Sequence, residues 1–479
     1  MLKKYLILSL LLSCSSPFLK AQQYGLFNTK TLFDGFENPA QKTFVLDSSR
    51  KYASNFFLPN FGFNAANRGN SDFIRRAINE GTTNMNGLPL RTTEINAVYQ
   101  NSNIYLLTLK IFKSYKDQKE MGFAWQIRSD AHLNYTNETL AILDDYERFQ
   151  PYSNEDFTDA FNNNGYAQSY HQFSFNYREN YSKRLAFGAK VSLLSGIHYN
   201  KLSITESYFN PGSSTQPLVA ALRGSYKASF LDTAELSSRD AIPTFKNPGL
   251  SLSFGTSYTS KSGVFIMANI KDLGFIKWAK SSYYNKFNNL DDPLIIDDPD
   301  MNSSGIEDRI ADIATENEER KSFFSPTNAK VDFMISKAYA ISIPFSYTPS
   351  LIVSKNIFYK GGDAAFVSKF KYNGLSLSVI PTYNFNNLML MGMQGMYQTP
   401  NFEVFLGSDN LLKTVSQVNG LIKQDRSIGT GYNAASFYMG LGIKFGNTVN
   451  HPQNSSYMPG IGDERPSFFK RLFGGSKKR

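Results

Sequence analysis

The sequence of 479 residues is poor in cysteine, and Cys14 is the only one. It lies close to the N-terminus, inside a stretch with the pattern of an export leader. If that leader is cleaved, the remaining chain forms no disulfide, although it enters a compartment where disulfides are stable. Thiolate zinc sites, iron–sulfur clusters and cysteine nucleophiles are excluded with it.

The leader pattern is short. Two lysines precede the apolar run "YLILSLLLS", and Ala21 ends a cleavage site before "QQYG". A run of this length is too short to span a bilayer, so residues 1–21 are predicted to be a signal peptide. A second interpretation stays open. The letters "LLSC" at 11–14 resemble a lipoprotein box, in which Cys14 would carry the lipid.

Long apolar runs are also missing. After the leader no segment approaches the roughly 18 apolar residues that a membrane helix needs, so the sequence predicts no such helix. Aromatic residues nevertheless make up 15% of the chain, with 40 Phe and 28 Tyr, and the mean hydropathy is −0.34. This mixture is typical of a β-barrel with an apolar outer surface, a polar interior and aromatic girdles.

Alternation with period two supports the barrel. In "SFYMGLGIKF" at 436–445, Phe437 and Met439 share one face with the later apolar residues, whereas Tyr438 and Lys444 lie on the other. The same pattern predicts about fourteen antiparallel strands, many of them long enough for tilted membrane strands. They are 52–64, 96–112, 119–134, 167–181, 184–205, 248–260, 263–279, 327–338, 342–358, 363–371, 374–384, 387–398, 401–409 and 434–446.

The connections are sorted by parity. Most odd connections are long, and all even ones are short, including "KYNG" at 371–374 with its Asn-Gly hairpin signature. The long ones are 65–95, 135–166, 206–247, 280–326 and 410–433. In outer-membrane barrels long loops face outward and tight turns face the periplasm. The sequence therefore predicts a transmembrane β-barrel in the bacterial outer membrane, with long extracellular loops.

This orientation places both termini in the periplasm. We predict a signal peptide at 1–21, a periplasmic or plug segment at 22–51, the barrel at 52–446 and a basic periplasmic tail at 447–479. Outer-membrane lipid is the expected partner, and protein partners would contact the long loops or the tail. Nucleic acid is not expected, despite the formal charge of +10.

The tail interleaves aromatic and basic residues. Its candidate contact residues are Phe468, Phe469, Lys470, Arg471 and Phe473. A short amphipathic helix on the inner leaflet, a docking segment for a periplasmic partner and a solvated tail are all compatible with this pattern.

The sequence contains no strong candidate for a metal-binding cluster. The run "DDPLIIDDPD", which begins at Asp291, lacks calcium-loop spacing and is expected to be a solvated loop. Met389, Met391 and Met393 share one strand face, which favours lipid contact over copper binding. No metal site and no cofactor are predicted.

Three histidines fall on strands, namely His132, His171 and His198. None has a partner at a definite spacing, so no catalytic residue is predicted and the chain is not expected to be an enzyme. In the long loop at 280–326, the capping box Ser304-x-x-Glu307 predicts a helix folded over the barrel mouth. Partner binding by that helix is the alternative.

The stretch "LFDGFENPAQK" at 32–42 precedes the first strand. Pro39 fixes its own φ and pushes Asn38 towards an extended conformation, and the Asn38 side chain can cap the turn that results. A small residue at Ala40 would let this turn pack against a barrel wall. The sequence therefore predicts a compact turn beside the barrel entrance.

The Asn-Pro-Ala box and the strand count resemble FadL-type outer-membrane barrels and the related PorV-type barrels of type IX secretion. The whole chain also resembles an uncharacterised group of barrels from bacteria with that system. The resemblance implies a lumenal plug, with Leu32, Phe33 and Phe36 lining a passage for a hydrophobic ligand. One departure is that "TLFDGFE" replaces the usual Gly/Ala-rich run.

Three functions follow as hypotheses. Passive transport of a small solute, hydrophobic by the resemblance, is favoured. A non-enzymatic structural or accessory subunit of an outer-membrane secretion or assembly complex is the alternative, and a barrel hydrolase ranks last. Fold resemblance does not choose among them, because function depends on the site.

Deletion of residues 22–42 tests the plug. We expect the deletion to raise ion conductance in planar bilayers, because it removes the segment that fills the lumen. Conductance equal to that of the intact chain would contradict the prediction.

Overall fold

Fourteen long strands dominate the computed structural model of the chain. They are β1 (Arg50–Ser54 and Asn60–Arg68), β2 (Asn96–Ser114), β3 (Lys119–Tyr135), β4 (Asn164–Asn180), β5 (Leu185–Asn210), β6 (Pro248–Thr259), β7 (Val264–Lys277), β8 (Lys330–Lys337), β9 (Phe345–Asn356), β10 (Gly362–Tyr372), β11 (Leu375–Asn384), β12 (Leu388–Gln398), β13 (Phe402–Ser408) and β14 (Asn433–Thr448). The helices are α1 (Asp34–Glu37), α2 (Asn137–Asp144), α3 (Ser303–Thr315) and α4 (Leu411–Lys423).

The structure describes most of the chain. The described residues are 24–43, 50–69, 88–92, 95–114, 118–144, 146–153, 155–213, 216–230, 242–297, 303–315, 319–423, 432–448 and 469. The predicted signal peptide and nearly all of the predicted tail lie outside these ranges.

Each strand pairs antiparallel with its sequence neighbour. The circle closes where β1 pairs with β14, with Ala53 opposite Lys444 and Phe61 opposite Met439. β7 bridges to β8 through pairs such as Met267–Met334. The predicted fold class, an all-β antiparallel barrel of fourteen strands, is confirmed.

Side chains alternate between the two faces of the wall. In β14, Tyr438 and Lys444 are buried inside, whereas Phe437, Met439 and Phe445 are exposed outside. The exposed outer residues of the other strands are also apolar, among them Phe123, Phe175, Leu193, Leu252, Phe254, Ile270, Phe333, Leu351, Phe366, Leu377, Met389 and Leu406. A continuous apolar band of this kind is typical of the lipid-facing wall of a membrane barrel.

The strands leave two unlike ends. At one end the connections are tight turns, such as 181–184, 260–263 and 373–374. At the other end most connections are long, and the exceptions are 357–361 and 385–387. This sorting matches the predicted parity and defines a tight-turn end and a long-loop end.

At the long-loop end several loops fold into a lobe outside the barrel. The upper part of β5 continues past the barrel and pairs with Leu218–Ala228, which in turn pairs with Tyr283–Asn288. α3 packs on this sheet, where Ile306 is buried and Ile310 and Ile313 are partly buried. The helix predicted from the capping box is present and contributes to the core of the lobe. Among the described residues no helix is long and apolar enough to cross a membrane.

A lipid-facing charge tests the outer band. Ile270 is 42% exposed on the outer face of β7, and Ile242 is 64% exposed in a loop. We expect Ile270→Arg to lower the free energy of unfolding in lipid vesicles by about 2–4 kcal/mol, because arginine would face the hydrocarbon. Ile242→Arg is the matched control and should change it by less than about 0.5 kcal/mol. Equal effects of the two variants would argue against a bilayer around this face.

Candidate functional site

The N-terminal segment from Tyr24 to Thr43 lies inside the barrel, and we call it the plug. Its ends and middle bond to different parts of the wall. Tyr24 Oη donates to Asp363 Oδ2 (2.7 Å), the Leu32 N–H to Glu403 Oε1 (2.6 Å) and the Thr43 N–H to Glu120 Oε2 (3.0 Å). These wall residues belong to β10, β13 and β3, so the plug spans the lumen.

A buried carboxylate shapes the first half of the plug. Asp34 Oδ2 accepts the backbone N–H groups of Thr29 and Lys30, each at 2.8 Å, and Asp34 Oδ1 accepts the Thr31 hydroxyl (2.5 Å). Burial raises the pKa of Asp34 to about 7, although these hydrogen bonds act in the opposite direction. The loop before α1 is therefore wound around one side chain.

The Asn-Pro-Ala box forms a turn at the end of α1. Asn38 is extended, with φ −135° and ψ 112°, and its Oδ1 accepts the Ala40 N–H at 2.9 Å. The Ala40 carbonyl accepts from Arg178 Nε (2.9 Å) and from Ser257 Oγ (3.2 Å). This turn is the part of the plug that lies flat against the wall of β4 to β6.

Two glycines make room for this turn. Gly188 in β5 and Gly255 in β6 are paired directly across the two strands. A Cβ at Gly188 would lie 2.0 Å from the Pro39 carbonyl oxygen, and one at Gly255 would lie 2.5 Å from Asn38 Oδ1. Any side chain at these positions would displace the turn.

A charged network ties the plug to the wall. Glu37 pairs with Arg128 (3.0 Å) and with Lys271. Arg128 and Lys190 also pair with Asp272, at 2.7 Å and 2.9 Å. Two carboxylates thus neutralise most of the charge of three cations, which such a confined interior requires.

A β-bulge aims Asp272 into this network. The register of β7 against β6 shifts between Ile270 and Leu273, and Asp272 adopts φ +53°. Its backbone N–H donates to Ser253 Oγ (2.8 Å), while Oδ1 accepts from Gln172 Nε2 (2.8 Å). Bulges often redirect a side chain in this way.

The predicted ligand-lining residues are all in packed contact. Leu32, Phe33 and Phe36 are buried among inward residues of the wall, with Phe33 5.3 Å from the Tyr105 ring and 5.8 Å from the Phe405 ring. The cavity beside Phe33 has a volume of about 40 Å³. That is well below the roughly 300–1,000 Å³ of a typical ligand pocket. A ligand role for these residues remains a prediction and requires the plug to move.

Above the plug, towards the long-loop end, lies a polar cavity of about 70 Å³. Amides dominate its lining, which includes Asn64, Gln100, Asn101, Asn328, Asn356, Asn384 and Asn386. Gln100 is buried, and its two polar side-chain atoms have no hydrogen-bond partner in the described part of the chain. The cavity therefore offers free donors and acceptors to a polar molecule.

Below the plug, at the tight-turn end, lies a larger cavity of about 300 Å³. It separates the plug from the wall of β4 to β9. Among the described residues, five cationic ones line it, namely Lys30, Lys42, Arg178, Lys183 and Arg184, and no described Asp or Glu does. We call it the basic cavity.

Of the predicted tail contacts, Phe469 is described. It lies on the outside of the barrel at the tight-turn end, with its ring 6.1 Å from Tyr177 and 5.8 Å from Phe187. The Phe469 N–H donates to Glu179 Oε1 (2.8 Å). The other four, Phe468, Lys470, Arg471 and Phe473, lie outside the described residues.

The remaining candidates are scattered. His132 lines the polar cavity, His171 accepts from Trp125 Nε1 (3.3 Å) and His198 packs on Phe230. Met389 and Met391 face outward, and Asp291 and Asp292 are exposed in their loop. Across the described ranges, no three His, Cys, Asp or Glu residues are grouped to hold a metal ion.

The sequence singles out residues 32–42, but it does not single out the wall residues that contact them. Glu37 lies inside the stretch 32–42, yet no feature of the sequence distinguishes it from the other acidic residues. Gly188 and Gly255 carry a weak signal, since glycine within a strand often marks a close approach of another backbone. Arg128 and Asp272 have no local signal, because they come together only when the barrel closes.

The glycine pair gives a direct test of plug seating. We expect Gly188→Val to raise ion conductance in planar bilayers towards that of the deletion of residues 22–42, because the new side chain occupies the place of the Pro39 carbonyl. Gly395→Val is the control, since a Cβ at Gly395 meets no atom within 4 Å. Both variants should show the heat-dependent gel mobility of a folded barrel. A folded Gly188→Val barrel with unchanged conductance would contradict the seating.

Two solved structures align along most of the chain. The toluene transporter TodX of P. putida is 8% identical, with a TM-score of 0.38 and coverage of 84% of this chain and 91% of that chain. A FadL homologue of Pseudomonas aeruginosa is 10% identical, with a TM-score of 0.39 and coverage of 82% and 90%. TM-scores as low as these do not establish a shared fold. The fold is therefore assigned from the strand pairings described above.

No curated protein matches the chain. A family model described as "Family of unknown function (DUF5723)" matches residues 45–409. This range starts just after the plug and extends to the end of β13, so it covers most of the barrel. The chain belongs to this family, DUF5723.

Proposed function

We propose that the protein conducts a small solute passively across the bacterial outer membrane, through a lumen that its plug closes and opens. The observation that carries the proposal is how the plug is attached. Hydrogen bonds and ion pairs, led by those of Glu37, tie it to the wall. Such bonds can be exchanged for water or for a polar solute.

Burial of three apolar plug residues favours the closed state. Moving the plug out would expose Leu32, Phe33 and Phe36 to water, at about 2 kcal/mol for each side chain. Their sum, about 6 kcal/mol, corresponds to a closed-to-open ratio of roughly 10⁴. Opening therefore needs a solute, a partner or a membrane condition that binds the open state better.

The cavities favour a polar solute. The cavity above the plug is lined with amides, and the one below it is lined with cations. The hydrophobic solute implied by the resemblance to FadL-type barrels would need a continuous apolar path past Phe33, where the adjoining space holds about 40 Å³. Transport of a hydrophobic solute is kept as an outcome of the test.

Location in the outer membrane is part of the proposal. The apolar band around fourteen strands supports this location, and so does the signal peptide predicted at 1–21. Fractionation of the native cell envelope, followed by detection of the protein, checks this location.

Solute flux tests the transport proposal through Glu37. We expect Glu37→Gln to raise the uptake of radiolabelled arabinose into proteoliposomes, because it weakens two ion pairs and leaves Lys271 and Arg128 less neutralised. The Glu37 side chain is 24% exposed, so we expect a loss below that of a fully buried pair, about 1.4 kcal/mol, which is roughly tenfold in plug release. Glu206→Gln, which breaks an exposed ion pair with Arg223, is the matched control.

Uptake of labelled toluene into the same vesicles distinguishes a hydrophobic solute from a polar one. Uptake into protein-free vesicles is subtracted as background. Faster uptake of toluene but not of arabinose would replace the polar solute by a hydrophobic one. No change for either solute in a folded Glu37→Gln barrel would overturn the transport proposal.

A second function is favoured by one observation. α4 buries Gln417 against the wall and exposes Leu412, Val415, Val418 and Ile422, the last at 75%. An exposed apolar helix face of this kind is typical of a protein contact. It supports an accessory role in an outer-membrane complex, of which type IX secretion is the one implied by the resemblance. A stable hetero-complex after purification in mild detergent, lost in Val415→Ser/Ile422→Ser, would favour this role.

A further inference from the structure

The basic cavity has the composition of a binding site. It lies between the plug, which contributes Lys30 and Lys42, and the wall, which contributes Arg178. Lys183 and Arg184 stand in the tight turn between β4 and β5, at its entrance. Two independent parts of the chain therefore direct cations into one space.

These cations lack ionic partners of their own. None of the five forms an ion pair with a residue that the structure describes. Within the described ranges, the Arg178 guanidinium donates to three neutral oxygens, those of Ala40 (2.9 Å), Gln118 (3.3 Å) and Asn180 (3.0 Å). Four cations elsewhere in the barrel, namely Arg128, Lys190, Lys271 and Lys444, do form ion pairs with carboxylates.

The lysines show the electrostatic consequence. Burial, and then repulsion from Arg178, lowers the pKa of Lys42 to about 8, although Glu120 acts in the opposite direction. Burial, together with Lys371 and Lys444, lowers the pKa of Lys30. Glu120 is occupied by the Thr43 N–H and is not part of the cavity lining. Positive charge is thus held at a cost that a bound anion would relieve.

We propose that the basic cavity binds a small anion bearing a phosphate or carboxylate group, held by Lys30 and Lys42 of the plug and Arg178 of the wall. A volume of about 300 Å³ accommodates a small organic anion. Ammonium and guanidinium groups that converge from different sides are the usual partners of such groups. Anion binding at this site does not depend on the transport proposal, because it needs no passage through the lumen.

The position of the site also couples it to the plug. An anion there would bridge the plug to β4, beside the point where Arg178 already holds the Ala40 carbonyl. Binding should therefore stabilise the seated plug, by the general linkage between a ligand and the state that binds it.

Calorimetry on the intact barrel in detergent tests the site. The probe is glycerol 3-phosphate, and glycerol is its uncharged counterpart. We expect glycerol 3-phosphate to bind and glycerol not to bind. Lys30→Gln/Lys42→Gln should weaken binding at least tenfold, because two charge-assisted contacts are lost. Arg178 is left intact, since it supports the plug.

The control is Lys261→Gln in the turn between β6 and β7. It removes one positive charge at the same end of the barrel, against two in the double variant, and Lys261 does not line the cavity. Unchanged binding in this control, with loss in the double variant, supports a specific site. Equal binding by the intact protein and the folded double variant, or no binding by the intact protein, would overturn the proposal.

A free anion and a lipid headgroup share this chemistry, and a second arm of the experiment separates these two sources. Native mass spectrometry compares barrels reconstituted with phosphatidylglycerol and with phosphatidylcholine. Retention of phosphatidylglycerol by the intact protein but not by the double variant, with displacement by glycerol 3-phosphate, identifies a headgroup. Binding of glycerol 3-phosphate without lipid retention identifies a free anion. Because the arabinose flux assay is separate, failure here leaves the transport proposal standing.

Discussion

Two carboxylates and three cations meet inside the barrel, and the closed lumen depends on their mutual neutralisation. Glu37 comes from the plug, whereas Asp272, Arg128, Lys190 and Lys271 come from the wall. Without Glu37 the wall would hold an excess of two positive charges in a confined space. Without Arg128 and Lys271, the partly buried carboxylate of Glu37 would have no counter-ion among the described residues. The charges of the plug and the wall neutralise each other. This explains why a segment with little regular structure is held in one place.

The rest of the plug follows from this constraint. Once Glu37 is anchored, the turn at Asn38 to Ala40 lies against the facing glycines of β5 and β6. On the opposite side, Phe33 and Phe36 fill the space beside Tyr105 and Phe405. The interior is therefore divided into an apolar contact that gives stability and polar contacts that can exchange. Cavities remain on both sides of the plug, and their linings are unlike: amides face one end and cations the other.

Much of the fold was within reach of the sequence. In a strand such as β14, apolar and polar residues alternate because one face contacts lipid and the other faces the interior. The sequence of the strand therefore predicts which residues lie on each face. Most odd-numbered connections are long and the even-numbered ones are short, because successive connections lie at opposite ends of the barrel. The segment around Asn38 to Ala40 was also recognisable, since proline and asparagine act on the local backbone. The lobe beyond β5 was not foreseen as a sheet, because its pairing depends on strands about 60 residues apart.

The sequence alone determined the class of the protein, the number of its strands, the order of its long and short connections and the location of an unusual turn before the first strand. These properties are local or periodic, so neighbouring residues encode them. Only the tertiary structure decided what fills the lumen, which charges neutralise Glu37, why Gly188 and Gly255 must be small and which cations are left without a partner. These depend on contacts between strands far apart in the chain, and no periodicity records which inward residues will face each other when the barrel closes.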